Sequence, residues 1–375
     1  MRLRSPRDPR DDKSERAGAP LLVTRGTLDD RASVAAVDRS GMLAAAAELG
    51  SQLRMGFRLG QDVSGLPSPP EIGGIVVCGM GGSGIAGDVV RSLVAGPARV
   101  PVLSVKGYDL PGFCGPQTLV VAVSYSGDTE ETVAACDAAA ARGSAVVSVS
   151  TGGALAELAK SRAAAHVRVP SDVEMPRAAV GYLAGATLGV VQTATGTPSA
   201  AEVEGAASLL DELAARLGPD SPVADNEAKQ LALWLAGRSP VVWGSEGLAE
   251  AAALRWKNQL NENAKVPASC STLPELDHNE VEGWGPASGA LWGLIVLRHG
   301  GEHPRIEARV DATLEAVSGS GLKHRQVWAE GSTPPEALFS LLMKADFTTV
   351  YLAVLRGVDP SPVPILAGLK ERLRP

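Results

Sequence analysis

The sequence predicts an α/β protein built as two units, each a parallel sheet covered by helices on both faces, with a helical segment leading the first. Two observations carry this expectation. Between residues 75 and 161, short apolar strands alternate with helical stretches, the pattern of strands buried on both faces and joined by helical crossovers. Further on, VVWGSEGLA at 241–249 repeats the shape of VVCGMGGSGIA at 76–86: apolar strand, glycine turn, helix start. A chain of 375 residues has room for two such units.

Taken in order, the first twenty residues mix both charge signs with proline and lack an apolar segment, so 1–26 is expected to be a disordered tail and not a secretory signal. Residues 27–60 read as helical, with apolar positions at three- and four-residue intervals. The linker LPSPPEIGG runs into a strand at 75–78. A helix near 84–96 follows, then strands near 101–105 and 118–123, a helix at 129–142, a strand at 145–149 and a helix at 153–161. A long helical stretch, 176–215, interrupted by glycine and proline near 195–198, closes a first domain of 27–215. The second domain, 216–375, starts its sheet at 239–243 and ends with a strand near 348–355 and a short basic helix in DPSPVPILAGLKERLRP.

Composition narrows the function. Apolar residues make up 45% of the chain, enough for a large core, while aromatics are only 4%; the abundant alanine and glycine favour closely packed helices. A formal charge of −7 argues against nucleic acid as a partner. Glycine or charge breaks every apolar run before about 18 residues, so no membrane span is expected. Cys78, Cys114, Cys136 and Cys270 form no CxxC pair and do not cluster with histidines. Small buried thiols in a reducing cytoplasm are the expectation, with no metal site.

The stretch VVCGMGGSGIAGDVV contains Gly79-x-Gly81-x-x-Gly84, the spacing of a dinucleotide fingerprint. That site also needs an acidic residue at the end of the second strand to hold the ribose. Here the strand ends in Lys106, and Asp109 comes three residues late, so no nucleotide cofactor is expected. A smaller anion fits better. Ser124-Tyr125-Ser126-Gly127-Asp128-Thr129 follows the strand at 119–123 and opens a helix. Hydroxyls and free N–H groups at helix starts cradle phosphate, and two loops after two parallel strands can meet on one phosphate. Ser83 and Thr129 could instead simply cap their helices. The density of serine, glycine and threonine in both loops together favours binding.

With these loops in hand a resemblance appears. CGMGGSGIAGD and VAVSYSGDTEETV resemble the signature loops of the sugar isomerase (SIS) fold, and more narrowly those of the bifunctional phosphoglucose/phosphomannose isomerases of archaea and bacteria. The similarity continues through EMPRAAVGY and WKNQLNENAKVPASCSTLPELDHNEVEGW to the lysine near the C-terminus, covering roughly 40–373. It implies two three-layer α/β/α SIS domains in each chain and a cofactor-independent isomerase of phosphorylated hexoses. By position it implies phosphate binding by Gly82, Ser83, Ser124, Ser126 and Thr129, an enediolate stabilised by Arg177, proton transfer by Glu262, and ring opening assisted by His278 and Lys370. It further implies a homodimer in which His278 crosses the interface.

The chemistry suits those residue types. Aldose–ketose interconversion needs one carboxylate to move a proton between C2 and C1. A guanidinium suits the charge developing on the enediolate, and a histidine titrates in the range that ring opening requires. From the residues alone, Glu275, Asp277 or Glu280 beside His278 could equally be the base, and Lys370 could be a surface lysine. Arg177 stands out because it interrupts an otherwise apolar helix, where a buried guanidinium needs an anionic or carboxylate partner. His166, His299, His303 and His324 show no partner pattern. A sensing module without turnover could keep the serine loops but would not need Glu262 or Arg177.

Overall fold

The computed structural model describes residues 26–373; the expected tail, 1–26, lies outside them except for Gly26, which opens a short helix. Five strands form the first sheet: β1 (Gly74–Gly79), β2 (Val102–Val105), β3 (Thr118–Val123), β4 (Ala145–Ser150) and β5 (Ala165–Arg168). Four form the second: β6 (Ser239–Ser245), β7 (Ser269–Leu273), β8 (Trp292–Arg298) and β9 (Lys323–Trp328). The orders are β2-β1-β3-β4-β5 and β7-β6-β8-β9, and every pairing is parallel. Both are three-layer α/β/α domains of the SIS type, as expected.

Alternation along each strand builds the layers. In β1, Ile75 and Val77 face one core while Val76 and Cys78 face another, formed with Ala135, Cys136 and Leu155. In β6, Val242 joins the first of these cores while Val241 and Trp243 pack on Ile306 and Val310. One face of each sheet therefore feeds the same central helical layer, and a single core runs between the two halves. Burial pushes the thiols of Cys78 and Cys136 up, to about 12 and about 11.

The central layer is packed backbone to backbone. Helices Leu49–Gln61 and Val180–Thr195 cross at glycines: a Cβ on Gly56 would strike the Tyr182 carbonyl, and one on Gly60 the Ala186 carbonyl. The dominance of small residues in the composition has this structural counterpart.

Three expectations are corrected. The strand near 348–355 is the second half of a helix, Pro334–Arg356. Its run Thr348-Thr349-Val350-Tyr351 is rich in β-formers, but the helix is buried on every side and therefore shows no amphipathic period. Although long and apolar enough to cross a membrane, it lies wholly inside the fold. The leading helix at 27–60 is four helices; at the break after Val37, Asp38 folds back to accept from the amides of Met42 and Leu43 and restarts the chain. Finally, β5, β7, β8 and β9 and the helices Glu227–Leu235 and Pro304–Ala316 extend the two units beyond the elements anticipated.

Candidate active site

β1 and β3 are neighbours whose crossovers leave in opposite directions, to β2 and to β4, which opens a crevice at their carboxyl ends. Both serine loops lie there. After β1 the chain turns through Met80 into the helix Gly81–Val94, with Gly81 in the left-handed region at φ 53°. The first amides of that helix have no carbonyl of their own to reach. Gly82 is closely fitted against Arg177, whose Cα would stand 3.0 Å from an added Cβ.

The second loop is wound on its own hydroxyls. Ser124, almost fully buried, places its Oγ 2.8 Å from Thr129 Oγ1 and accepts from Gly127 N–H at 3.1 Å. Ser126 is exposed and accepts from Asp128 N–H at 3.2 Å. Gly127 sits at φ 82°, where a Cβ would collide with the Gly152 carbonyl. Asp128 accepts from Ala154 N–H at 2.8 Å, bracing the loop on the next turn.

The two loops are joined. Tyr125 N–H donates to Ser83 Oγ at 3.1 Å, and Tyr125 Oη donates to the Val173 carbonyl at 2.9 Å, just before the segment that carries Arg177. Neither Ser83 nor Thr129 makes a side-chain cap, so helix capping does not account for them. At the end of β2, Lys106 turns to Asp88 at 2.5 Å and fills the position where a ribose-binding carboxylate would be needed.

Arg177 is 3% exposed. Its Nε donates to Asn263 Oδ1 at 2.7 Å, its Nη2 to the carbonyls of Pro360 at 2.6 Å and Ser361 at 2.9 Å, and its Nη1 lies 3.7 Å from Glu262 Oε2. Burial pushes the guanidinium below its ordinary range, and the Glu262 carboxylate opposes that shift. Glu262 ends the helix Leu248–Glu262, with a quarter of its side chain exposed. It lines a cavity of about 430 Å³ together with Asn258, Asn261, Lys265 and residues 363–366.

The support beneath this pair was not anticipated. Arg255, Gln259 and Asn263 recur at four-residue intervals on one helix face. Arg255 grips Asp346 at 3.0 and 2.9 Å and donates to the Arg177 carbonyl at 2.8 Å. Gln259 donates to Asp346 at 2.7 Å, and Asn263 to Thr349 Oγ1 at 3.0 Å. The only signal in the sequence is three polar residues spaced four apart in a helix; their burial is a finding of the structure.

The structure thus brings together Gly82, Ser83, Ser124, Thr129, Arg177 and Glu262, with Ser126 exposed at the rim of its loop. His278 and Lys370 are both exposed and are not among the residues lining the Glu262 cavity. Lys370 belongs to the helix Pro364–Arg372, whose first turn lines that cavity. His278 is turned outward on a 3-10 turn whose acidic neighbours are committed to the fold. Asp277 accepts from Arg309 at 2.9 Å and Thr313 at 2.7 Å, Glu280 from Trp243 Nε1 at 2.9 Å, and Glu275 from Asn279 at 3.0 Å. These commitments weigh against all three as alternative bases. The Ser361 hydroxyl is buried without a hydrogen-bond partner, its carbonyl being the group Arg177 uses. Among the described residues, no group of three or more histidine, cysteine or acidic side chains could hold a metal ion.

Tandem SIS domains with paired serine loops define a sugar-phosphate-binding enzyme of the isomerase type. A family model for the bacterial phospho-glucose isomerase C-terminal SIS domain matches residues 224–373. The chain is 32% identical over 333 residues to the bifunctional phosphoglucose/phosphomannose isomerase of Caldicellulosiruptor bescii, covering 87% of this chain and 96% of that one. It is 34% identical over 303 residues to the enzyme of that description from Aquifex aeolicus, covering 80% and 90%. Among solved structures, a hypothetical protein from Thermus thermophilus superposes with a TM-score of 0.69 at 18% identity over 93% of this chain and 94% of that one, a likeness of fold. The chain belongs to the bifunctional phosphoglucose/phosphomannose isomerase family.

Proposed function

We propose that the chain interconverts glucose 6-phosphate or mannose 6-phosphate with fructose 6-phosphate in the cytoplasm, without a cofactor. The observation that carries this reading is the approach of Arg177 to Glu262, residues from different halves of the chain held 3.7 Å apart beside the two serine loops. In it, Gly82, Ser83, Ser124, Ser126 and Thr129 bind the phosphate. Glu262 moves the proton between C1 and C2, and Arg177 stabilises the enediolate oxygens in a site whose donors are already oriented. His278 and Lys370 pass the ring-opening proton, His278 being supplied by the second subunit of a homodimer, which accords with its outward position. The same loops would serve another sugar phosphate, and the choice of sugar is what an assay decides.

The test is isomerase activity on glucose 6-phosphate and mannose 6-phosphate separately, for the parent and for Glu262→Gln. The parent is expected to turn over both, with the variant slowed on the order of 10²- to 10⁴-fold while still binding the substrate. Saturable binding without turnover of either sugar by the parent would overturn the reading in favour of a different sugar-phosphate substrate or a sensing module.

A further inference from the structure

Lys265 stands three residues beyond Glu262 and is one of three described non-glycine residues with positive φ, at 56°. A left-handed backbone favours glycine, and a side chain kept there needs a compensating interaction. The interaction is visible. The Lys265 ammonium donates to the carbonyl of Glu262 itself and, at 3.0 Å, to the carbonyl of Pro360. That Pro360 oxygen also receives Arg177 Nη2 at 2.6 Å. One backbone oxygen therefore collects two cations from separate segments, and both also reach Glu262, Lys265 at its carbonyl and Arg177 at its carboxylate.

The segment holding this oxygen, residues 357–363, links the core helix Pro334–Arg356 to the exposed helix Pro364–Arg372. Its turn is fixed by Ser361 N–H donating to Asp359 Oδ1 at 2.9 Å, which aims the Pro360 and Ser361 carbonyls at the cations. Burial first, and then the nearby Arg177, push the Lys265 ammonium below its ordinary range; the Glu262 and Asp359 carboxylates oppose this. A cation kept in such surroundings has a geometric task.

We infer that Lys265 is a positioning residue: its ammonium staples the end of the helix carrying Glu262 to the 357–363 segment, and through the shared Pro360 carbonyl it fixes Glu262 relative to Arg177. The inference rests on the isomerase reading for its kinetic consequence but not for the staple itself. Without the staple, Glu262 and Arg177 remain present while their spacing relaxes. A misplacement of about 1 Å at a reacting centre is enough to cost on the order of a hundredfold in rate.

The experiment compares full-length parent, Lys265→Met and Lys265→Arg by amide hydrogen exchange and by steady-state kinetics on fructose 6-phosphate. Lys265→Gln, which keeps an N–H donor, replaces the methionine variant if that does not fold. Exchange across 357–373 is expected to quicken in Lys265→Met while 74–90 and 334–356 keep the parental rate. The kcat is expected to fall about ten- to a hundredfold with KM held within about threefold, and Lys265→Arg to recover part of the loss. Unchanged exchange at 357–373 overturns the staple. Quickened exchange with unaltered kcat overturns the positioning role, as does a loss confined to KM, which would place Lys265 on the substrate. A parent without turnover refutes the isomerase reading, and the exchange comparison then decides the staple alone.

Discussion

Arg177 shows how a single buried charge is made tolerable. A guanidinium at 3% exposure accepts desolvation only when oxygens surround it, and four do so: those of Asn263, Pro360, Ser361 and Glu262. A lysine cannot span that fork, so Arg177→Lys is expected to fold and to lose on the order of 10²- to 10³-fold in kcat, checked by steady-state kinetics. Asp346 bears on the same point from beneath. Asp346→Asn would leave Arg255 without its buried counter-charge, and urea denaturation should show a loss of about 3–5 kcal/mol. At this scale the sequence is partly legible: Arg177 stands out because it interrupts an apolar helix. Arg255, Gln259 and Asn263 do not stand out, because polar residues on a helix normally face water and only packing reveals that this face is inward.

The helix Pro334–Arg356 and the Ser124–Thr129 loop are the elements whose chemistry is most exposed to test. Thr333 and Glu336 form a capping box at the helix start, with Glu336 accepting from Thr333 N–H at 2.9 Å and Ser332 N–H at 2.7 Å. Those backbone bonds, Thr333 first and Ser332 next, hold the Glu336 carboxyl below its usual value. A carboxyl depressed on folding stabilises above its unfolded pKa, about 4.3, and loses that contribution as pH falls through the folded value. Glu336→Gln should therefore flatten part of the acid limb of stability below about pH 5, read by thermal unfolding across pH. In the loop, Gly127→Ala would meet the Gly152 carbonyl at positive φ, and titration with inorganic phosphate should show at least a tenfold weakening. Glycine's place in that turn was readable from the sequence. The helix reads as a strand in sequence because Thr348-Thr349-Val350-Tyr351 is rich in β-formers, while burial on every side removes the amphipathic period that would mark a helix.

At the scale of the whole molecule, the exposed His278 and the Glu262 cavity do not share a wall within one chain. If the second subunit supplies the histidine, mixing Glu262→Gln with His278→Ala after unfolding and refolding together should restore about a quarter of parental turnover, since half the dimers are mixed and each has one intact site. No recovery would place both residues in a single chain's site. By itself the sequence determined the two parallel units, the serine-glycine loops at the carboxyl ends of β1 and β3, and the residue types that isomerisation needs. Those follow from local rules: strand period, helix spacing, and glycine where the chain must turn. What only the tertiary structure decided was convergence. The strand order that puts β1 beside β3, the 86-residue separation closed between Arg177 and Asn263, and the shared Pro360 carbonyl all join segments far apart in the chain. Such contacts are set by the balance of burial and polar satisfaction over the entire core, and no window of sequence contains that balance.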